Sequence, residues 1–193
     1  MSLIPAFEIG VWNAWIFMVW LLIQTLAVRL VSKEVYQRGG NPPDMKPSQA
    51  YKILSFLSVP LWLLPTAYSI FLPLKLGTIW FAIGLIIFLL GLVLNVIATI
   101  NFATAPMNEP VTGGAYRYSR HPLYAAHVLI YFSVSIASAS WVFLLATIML
   151  AVLVGLSVKD EEHYCLERYG LAYREYMDRT PRWLGIPKAV KSK

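Results

Sequence analysis

Charge is what this sequence has least of. Of 193 residues only 13% are Asp, Glu, Lys or Arg, while 58% are apolar; a soluble domain carries about 25% charged residues. The deficit is concentrated. The 38 residues between Arg120 and Lys159 hold no charged side chain, nor do the 33 between Lys75 and Glu109. One bilayer span needs ~20 apolar residues, so these runs exclude a soluble core and predict a polytopic membrane protein. Cysteine is nearly missing as well, and the lone Cys165 excludes an internal disulfide. There is no Cys/His cluster with zinc spacing, no P-loop, no dinucleotide fingerprint and no nucleophilic serine elbow, so no metal site is expected. No basic residue precedes the first apolar stretch and no small-residue cleavage site follows it, which argues against a cleavable signal peptide. The net charge of +6 is not gathered on a basic, aromatic-interleaved soluble face, so nucleic acid is not an expected partner.

What is present reads as an all-α, single-domain chain of five transmembrane helices. The first three expected spans cover about 11–31, 52–72 and 77–100. The run 122–158 is too long for one helix and just long enough for two of about 18 residues, each reaching ~27 Å. Ser138-Ala139-Ser140 is the place for a tight turn. The fourth and fifth spans should therefore form a tight helical hairpin. Residues 101–121, rich in Pro, Gly and Thr, read as a loop, and the charged, tyrosine-rich stretch 159–183 reads as a C-terminal helix lying outside the bilayer.

Basic residues set the expected orientation. Arg29, Lys33, Arg38, Lys46 and Lys52 flank the first loop, Arg117 and Arg120 precede the fourth span, and eight more lie from Lys159 to Lys193. All fall on one side under the five-span scheme, leaving only Lys75 opposite. Lys and Arg favour the cytoplasm, so the expected N-terminus is outside and the C-terminus cytoplasmic.

Two segments carry candidate chemistry. In Tyr118-Ser119-Arg120-His121-Pro122-Leu123-Tyr124, Pro122 suits the first turn of a helix, which sets His121 at a helix mouth with unpaired amides. Such an end accepts carboxylate or phosphate, though Arg120 and His121 are equally the residues that anchor a span at the interface. In the tail, Glu162, Leu166, Tyr169, Tyr173 and Tyr176 follow at helical steps on one face, with Arg179 three residues on. The same stripe suits a helix lying on the membrane surface, and Gly170 interrupts it. Glu161 falls off the stripe and is expected in solvent. His127 and Asn95, inside spans, are expected to bond across helices, and Gly84 and Gly91, seven apart, to permit close packing.

The segment from Gly114 to Tyr124, followed by Glu161-Glu162, Tyr169-Gly170, Tyr173, Tyr176 and Arg179-Thr180-Pro181, resembles the isoprenylcysteine carboxyl methyltransferases and the phospholipid methyltransferases of the same superfamily. The likeness covers roughly 77–183, which would be the catalytic core, with the first two spans in 1–76 and a basic tail in 184–193. The resemblance implies S-adenosylmethionine as cofactor in a cytoplasmic-side pocket. It implies that His121, Leu123, Tyr124, Glu162, Tyr173 and Tyr176 bind that cofactor. Arg179 and Glu162 would be the catalytic residues, Arg179 matching an arginine that the family uses near the substrate carboxylate. The implied substrate is lipidic, a prenylated cysteine or another membrane lipid. After Pro181 the chain reads Arg-Trp-Leu-Gly-Ile-Pro, where eukaryotic carboxyl methyltransferases have small residues, a departure at the end nearest the implied acceptor.

A carboxylate acceptor is ionised at pH 7 and needs alignment rather than a base, and an arginine can grip it bidentately. An amine acceptor, such as a phosphatidylethanolamine head group, must first lose a proton to a base such as Glu162 or His121. Two further readings stand beside these. One is an NADPH-dependent sterol reductase, whose C-terminal element is similar; the other is a non-enzymatic helical scaffold or transporter subunit.

Overall fold

The computed structural model describes residues 2–31, 35 and 47–188. Lys33, Arg38 and Lys46 of the first basic loop, and Lys191 and Lys193 of the tail, lie outside the described residues. Six α-helices have described bounds: α1 (Trp15–Val31), α2 (Gln49–Tyr68), α3 (Ile79–Thr104), α4 (Pro122–Ala137), α5 (Trp141–Tyr169) and α6 (Leu171–Arg179). Among the described residues there is no strand, and β-pairing is confined to isolated bridges of Ser2 with Ser140 and Asn13 with Pro73. Three helices start on a hydroxyl cap. Ser48, Thr78 and Ser140 accept from the backbone N–H of Tyr51, Phe81 and Phe143, each satisfying one of the amides a helix start leaves unpaired.

Helices α1 to α5 run alternately between two ends. One end gathers the N-terminal segment, the α2–α3 connection and the α4–α5 connection: Ser2 N donates to Ala139 O at 2.7 Å, Ala14 N to Leu72 O at 2.8 Å and Lys75 N to Ala137 O at 2.9 Å. At the other end Ser48 Oγ donates to Asp160 Oδ2 at 2.6 Å, tying the start of α2 to α5. Length and composition mark three of the five expected spans as long and apolar enough to cross a membrane: Gln49–Phe71, Ile79–Thr104 and Trp141–Tyr169. The apolar part of α1, Trp15–Leu26, and α4 are shorter. The 16 residues of α4 reach ~24 Å, less than a ~30 Å hydrocarbon core. The outward faces of the long helices are apolar, with Leu63, Leu64, Ile86, Leu90 and Val152 all exposed. Such a belt suits lipid and not water.

Inside, Phe17, Met18, Ile130, Tyr131, Val134, Phe143 and Leu150 form the main core. Helix α3 lies so close to α4 that a Cβ on Gly84 would stand 2.6 Å from the Ala137 backbone nitrogen, and one on Gly91 3.1 Å from Ile130 Cγ1. Asn95 accepts from Trp20 Nε1 at 3.0 Å and links α3 to α1. The charged stretch beginning at Lys159 differs from expectation. Its first part, Lys159–Tyr169, is the continuation of α5, which projects roughly 16 Å past its apolar part and stops at Gly170; only α6, Leu171–Arg179, is a separate helix. Gly170 takes φ +56°, in the region that glycine enters without a Cβ penalty.

Candidate functional site

The charged end brings together the loop before α4, the first turns of α4, the end of α5, and α6 with the residues after it. The loop is pinned from α3. Asn101 Oδ1 accepts from Ala115 N at 2.9 Å, and Gly114 passes over that oxygen at φ +58°, where a Cβ would collide with the Asn101 side chain. This sets Tyr116, whose carbonyl accepts the Tyr176 hydroxyl at 2.7 Å. The chain after α6 is stitched to the same loop: Arg120 N donates to Pro181 O at 3.0 Å, Gly185 N to Tyr118 O at 2.9 Å and Ser119 Oγ to Arg182 O at 3.2 Å.

At the centre is a buried carboxylate. Glu162, 3% exposed, accepts from Arg120 Nε at 2.8 Å and from both Arg182 Nη2 at 2.6 Å and Arg182 Nε at 3.0 Å. His121 Nε2 lies 3.3 Å from the same carboxylate. Arg120 Nη1 donates to the carbonyls of Met177 and Thr180, each at 3.0 Å. The bond from Arg182 to Glu162 raises the arginine's pKa further above its ordinary value. The cluster therefore locks α4, α5 and the segment after α6 into one arrangement, using charge-assisted bonds that are about twice as strong as neutral ones.

In front of this cluster opens a cavity of about 250 Å³. Helix α5 lines it with Glu161, Tyr164, Cys165, Arg168 and Tyr169, at steps of three, one, three and one along one helical face. Tyr124 donates its hydroxyl to Glu161 Oε1 at 2.7 Å, and His121 Nδ1 stands 3.9 Å from Glu161 Oε2. The guanidinium of Arg168 lies 5.6 Å from the Tyr169 ring centre and 5.9 Å from that of Tyr164. Burial pushes the phenols of Tyr173 and Tyr176 well above their ordinary pKa, so both are neutral hydroxyls at physiological pH. Tyr176 spends its hydroxyl on the loop. Tyr173 also lines the cavity, and no hydrogen bond of its hydroxyl is formed among the described residues.

Of the residues singled out in the sequence, His121, Leu123, Tyr124, Tyr173 and Tyr176 all line the cavity. Glu162 lies behind its wall, in the ion cluster. Arg179 is exposed, donates to the Glu175 carbonyl at 3.2 Å, and does not line the cavity. Glu161, expected in solvent, faces the cavity instead. His127, expected to bond across helices, packs edge-on against Trp62 with ring centres 5.5 Å apart, lines the cavity and has no hydrogen bond among the described residues. Arg182 was missed, and no spacing rule finds it, because its pairing with Glu162 crosses both Gly170 and Pro181. Arg168 was legible as the same-face partner of Glu161 seven residues on. No metal-holding group of His, Cys, Asp and Glu occurs among the described residues.

No curated protein matches this chain. Residues 74–172, a little over half of the sequence, match the phospholipid methyltransferase family model. The match takes in α3, α4, α5 and the α5 face of the cavity, and stops just before Tyr173. The chain therefore belongs to the phospholipid methyltransferase family, within the membrane methyltransferase superfamily that also includes the isoprenylcysteine carboxyl methyltransferases.

Proposed function

We propose that this chain transfers a methyl group from S-adenosylmethionine to the amine head group of a membrane lipid at the cytoplasmic face. The observation that carries the choice of acceptor is which charges are left facing the cavity. Glu161 presents a carboxylate to it. Arg120 and Arg168 are also at the wall, but the bonds of Arg120 go to Glu162, Met177 and Thr180, Arg168 donates to the Tyr164 hydroxyl and lies over the Tyr169 ring, and Arg179 is outside. That balance favours a cation over an anion as the acceptor group.

The residues present fit the cofactor. Phe102, Tyr116 and Tyr124 offer ring faces on which an adenine can stack, and the same aromatic lining is favourable to a sulfonium cation. The open Tyr173 hydroxyl is a ready hydrogen-bond partner for a polar ligand. His121, Leu123, Tyr124, Tyr173 and Tyr176 are the proposed binding residues, with Glu162 holding His121 in place from behind. The bound cofactor supplies an electrophilic methyl group. The protein's part is to align the acceptor with it and exclude water, and alignment alone is worth roughly 7–11 kcal/mol. In this reading α1 to α5 all cross the bilayer, the last two as a hairpin, with the N-terminus outside.

A second reading, methylation of a prenylcysteine carboxylate, is favoured by one feature: Arg168 at the cavity wall, whose planar fork can take a carboxylate bidentately.

Detergent-purified protein separates these readings. S-adenosylhomocysteine should raise the thermal transition and NADPH should not. In nanodiscs, labelled methyl should appear on phosphatidylethanolamine and not on a prenylcysteine analogue. Label on the prenylcysteine alone would replace the amine by the carboxylate, and stabilisation by NADPH alone would sink methyl transfer altogether.

A further inference from the structure

His127 has no duty in the reading above, yet it holds the deepest polar position on the cavity face of α4. That face runs His121, Leu123, Tyr124, His127. Six residues of helix put His127 ~9 Å below His121, towards the middle of the bilayer. A polar side chain at such depth is costly unless it meets a partner. The neighbouring polar groups are already committed. Tyr124 donates to Glu161 at 2.7 Å. Tyr131, one turn deeper, donates to Trp62 O at 2.8 Å and stands 2.7 Å from the Thr66 hydroxyl. His127 forms no hydrogen bond among the described residues, and the edge-on contact with Trp62, at 82° between planes, fixes the ring. The titratable groups around it are His121, Tyr124 and Tyr131 along α4 and Glu161, Tyr164 and Cys165 on α5; α2 contributes Trp62 and, nearer the mouth, Tyr51, whose phenol is in electrostatic reach of Tyr124 and Glu161.

The mouth and the deep end of the cavity suit different ligands. The mouth carries Glu161, Arg168, Tyr169 and Tyr173, and suits a water-soluble cofactor. An acceptor anchored in lipid comes from the apolar side, where His127 is the open polar group. We propose that His127 takes the proton from the acceptor's ammonium group, an inference that rests on the amine reading. The ammonium N–H bond breaks and its proton passes to the unprotonated ring nitrogen of His127. The freed lone pair forms the N–C bond as the methyl's C–S bond breaks, and that electron pair stays on sulfur as a neutral thioether. The product is the N-methylated ammonium, and the net proton leaves from His127 through the cavity to water.

The test uses the full chain in nanodiscs and the variant His127→Gln, which keeps a polar group of similar size but cannot take a proton. Phosphatidylethanolamine turnover at pH 7 should fall at least tenfold and recover as pH rises, while S-adenosylhomocysteine affinity stays within twofold. A readout that packing would not move uses a second acceptor, a lipid analogue with an aminooxy head group, whose nitrogen is already unprotonated at pH 7 and needs no base. His127→Gln should methylate that analogue at close to the unmodified rate while losing phosphatidylethanolamine turnover. Turnover of phosphatidylethanolamine in His127→Gln at the unmodified rate, with the same pH profile, overturns the proposal, as does an equal loss on both acceptors. If the unmodified protein methylates no amine lipid, the acceptor reading itself has failed and this proposal falls with it.

Discussion

Glu161 and Glu162 are adjacent, identical in chemistry, and placed in different environments by 100° of helix rotation. Glu162 is 3% exposed and bound by two arginines, whereas Glu161 opens on the cavity with Tyr124 as its hydrogen-bond donor. Replacing Glu162 by Ala strands Arg120 in a buried site. Removing one partner of a buried pair costs about 3–5 kcal/mol, so the thermal transition of the purified protein should fall steeply. Arg182→Ala should cost less, since its side chain is 35% exposed and Arg120 still holds the carboxylate. Glu161→Gln should leave stability within about 1 kcal/mol, the worth of one ordinary hydrogen bond, while weakening amine-lipid binding in a cofactor-free titration. If Glu161→Gln unfolds the protein and Glu162→Ala does not, the two environments are assigned the wrong way round. The tyrosine stripe explains why Glu162 stood out in the sequence. The stripe is a buried face, with Leu166, Tyr169, Tyr173 and Tyr176 packed together. Periodicity reports what is buried: Tyr169, Tyr173 and Tyr176 of the stripe also line the cavity, whereas Glu162 and Leu166 do not, and Glu161, off the stripe, does.

At the scale of elements, the apolar runs were the legible part. The third span, expected at 77–100, is α3 at Ile79–Thr104, and the break expected at Ser138–Ser140 separates α4 from α5. The end of α5 was not legible from composition. A switch from apolar to charged residues at Lys159 is a change of solvent, not of backbone, so the helix runs on until glycine releases it. Gly170 then turns the chain at φ +56° and lets α6 fold back beneath the cavity. Gly170→Ala should lose roughly 1–3 kcal/mol from backbone strain, because φ +56° with ψ −125° is a combination that glycine adopts and a residue with a Cβ rarely does; a Cβ there meets no atom within 4 Å, so tertiary conflict adds nothing. Gly84→Leu is the opposite case. Its side chain must enter space held by the Ala137 backbone at 2.6 Å, and overpacking of this kind costs roughly 1–3 kcal/mol. Because backbone cannot yield as a side chain does, the upper part of that range is expected. Gly155→Ala, whose Cβ would meet only Trp183 at 3.8 Å, serves as the control and should change the thermal transition little. Equal losses at 84 and 155 would show that α3 and α4 are not in close contact.

The whole molecule is electrically lopsided in a way that ties its orientation to its chemistry. Lys52, Arg117, Arg120, Lys159, Arg168, Arg174, Arg179, Arg182 and Lys188 belong to the end that carries the cavity, and Lys75 belongs to the other. Short basic segments resist translocation, so the cavity end should be the cytoplasmic one, where a water-soluble methyl donor can reach it from the cell interior. Some of these cations do double service, since Arg120 and Arg182 hold Glu162 while adding to the basic count. The orientation and the site are therefore not independent features. The prediction can be checked with single cysteines in a Cys165→Ala background. Leu76→Cys, on the connection between α2 and α3, should react with a membrane-impermeant maleimide added to intact cells or spheroplasts. Gly185→Cys, on the segment stitched to Tyr118, should react only after the membrane is opened. Labelling of Gly185→Cys in sealed cells with protection of Leu76→Cys would invert the molecule and put the cavity on the outer face. Labelling of both in sealed cells would mean that an even number of α3, α4 and α5 cross, and α4, with 16 residues against the 26 of α3, would be the helix that fails to span.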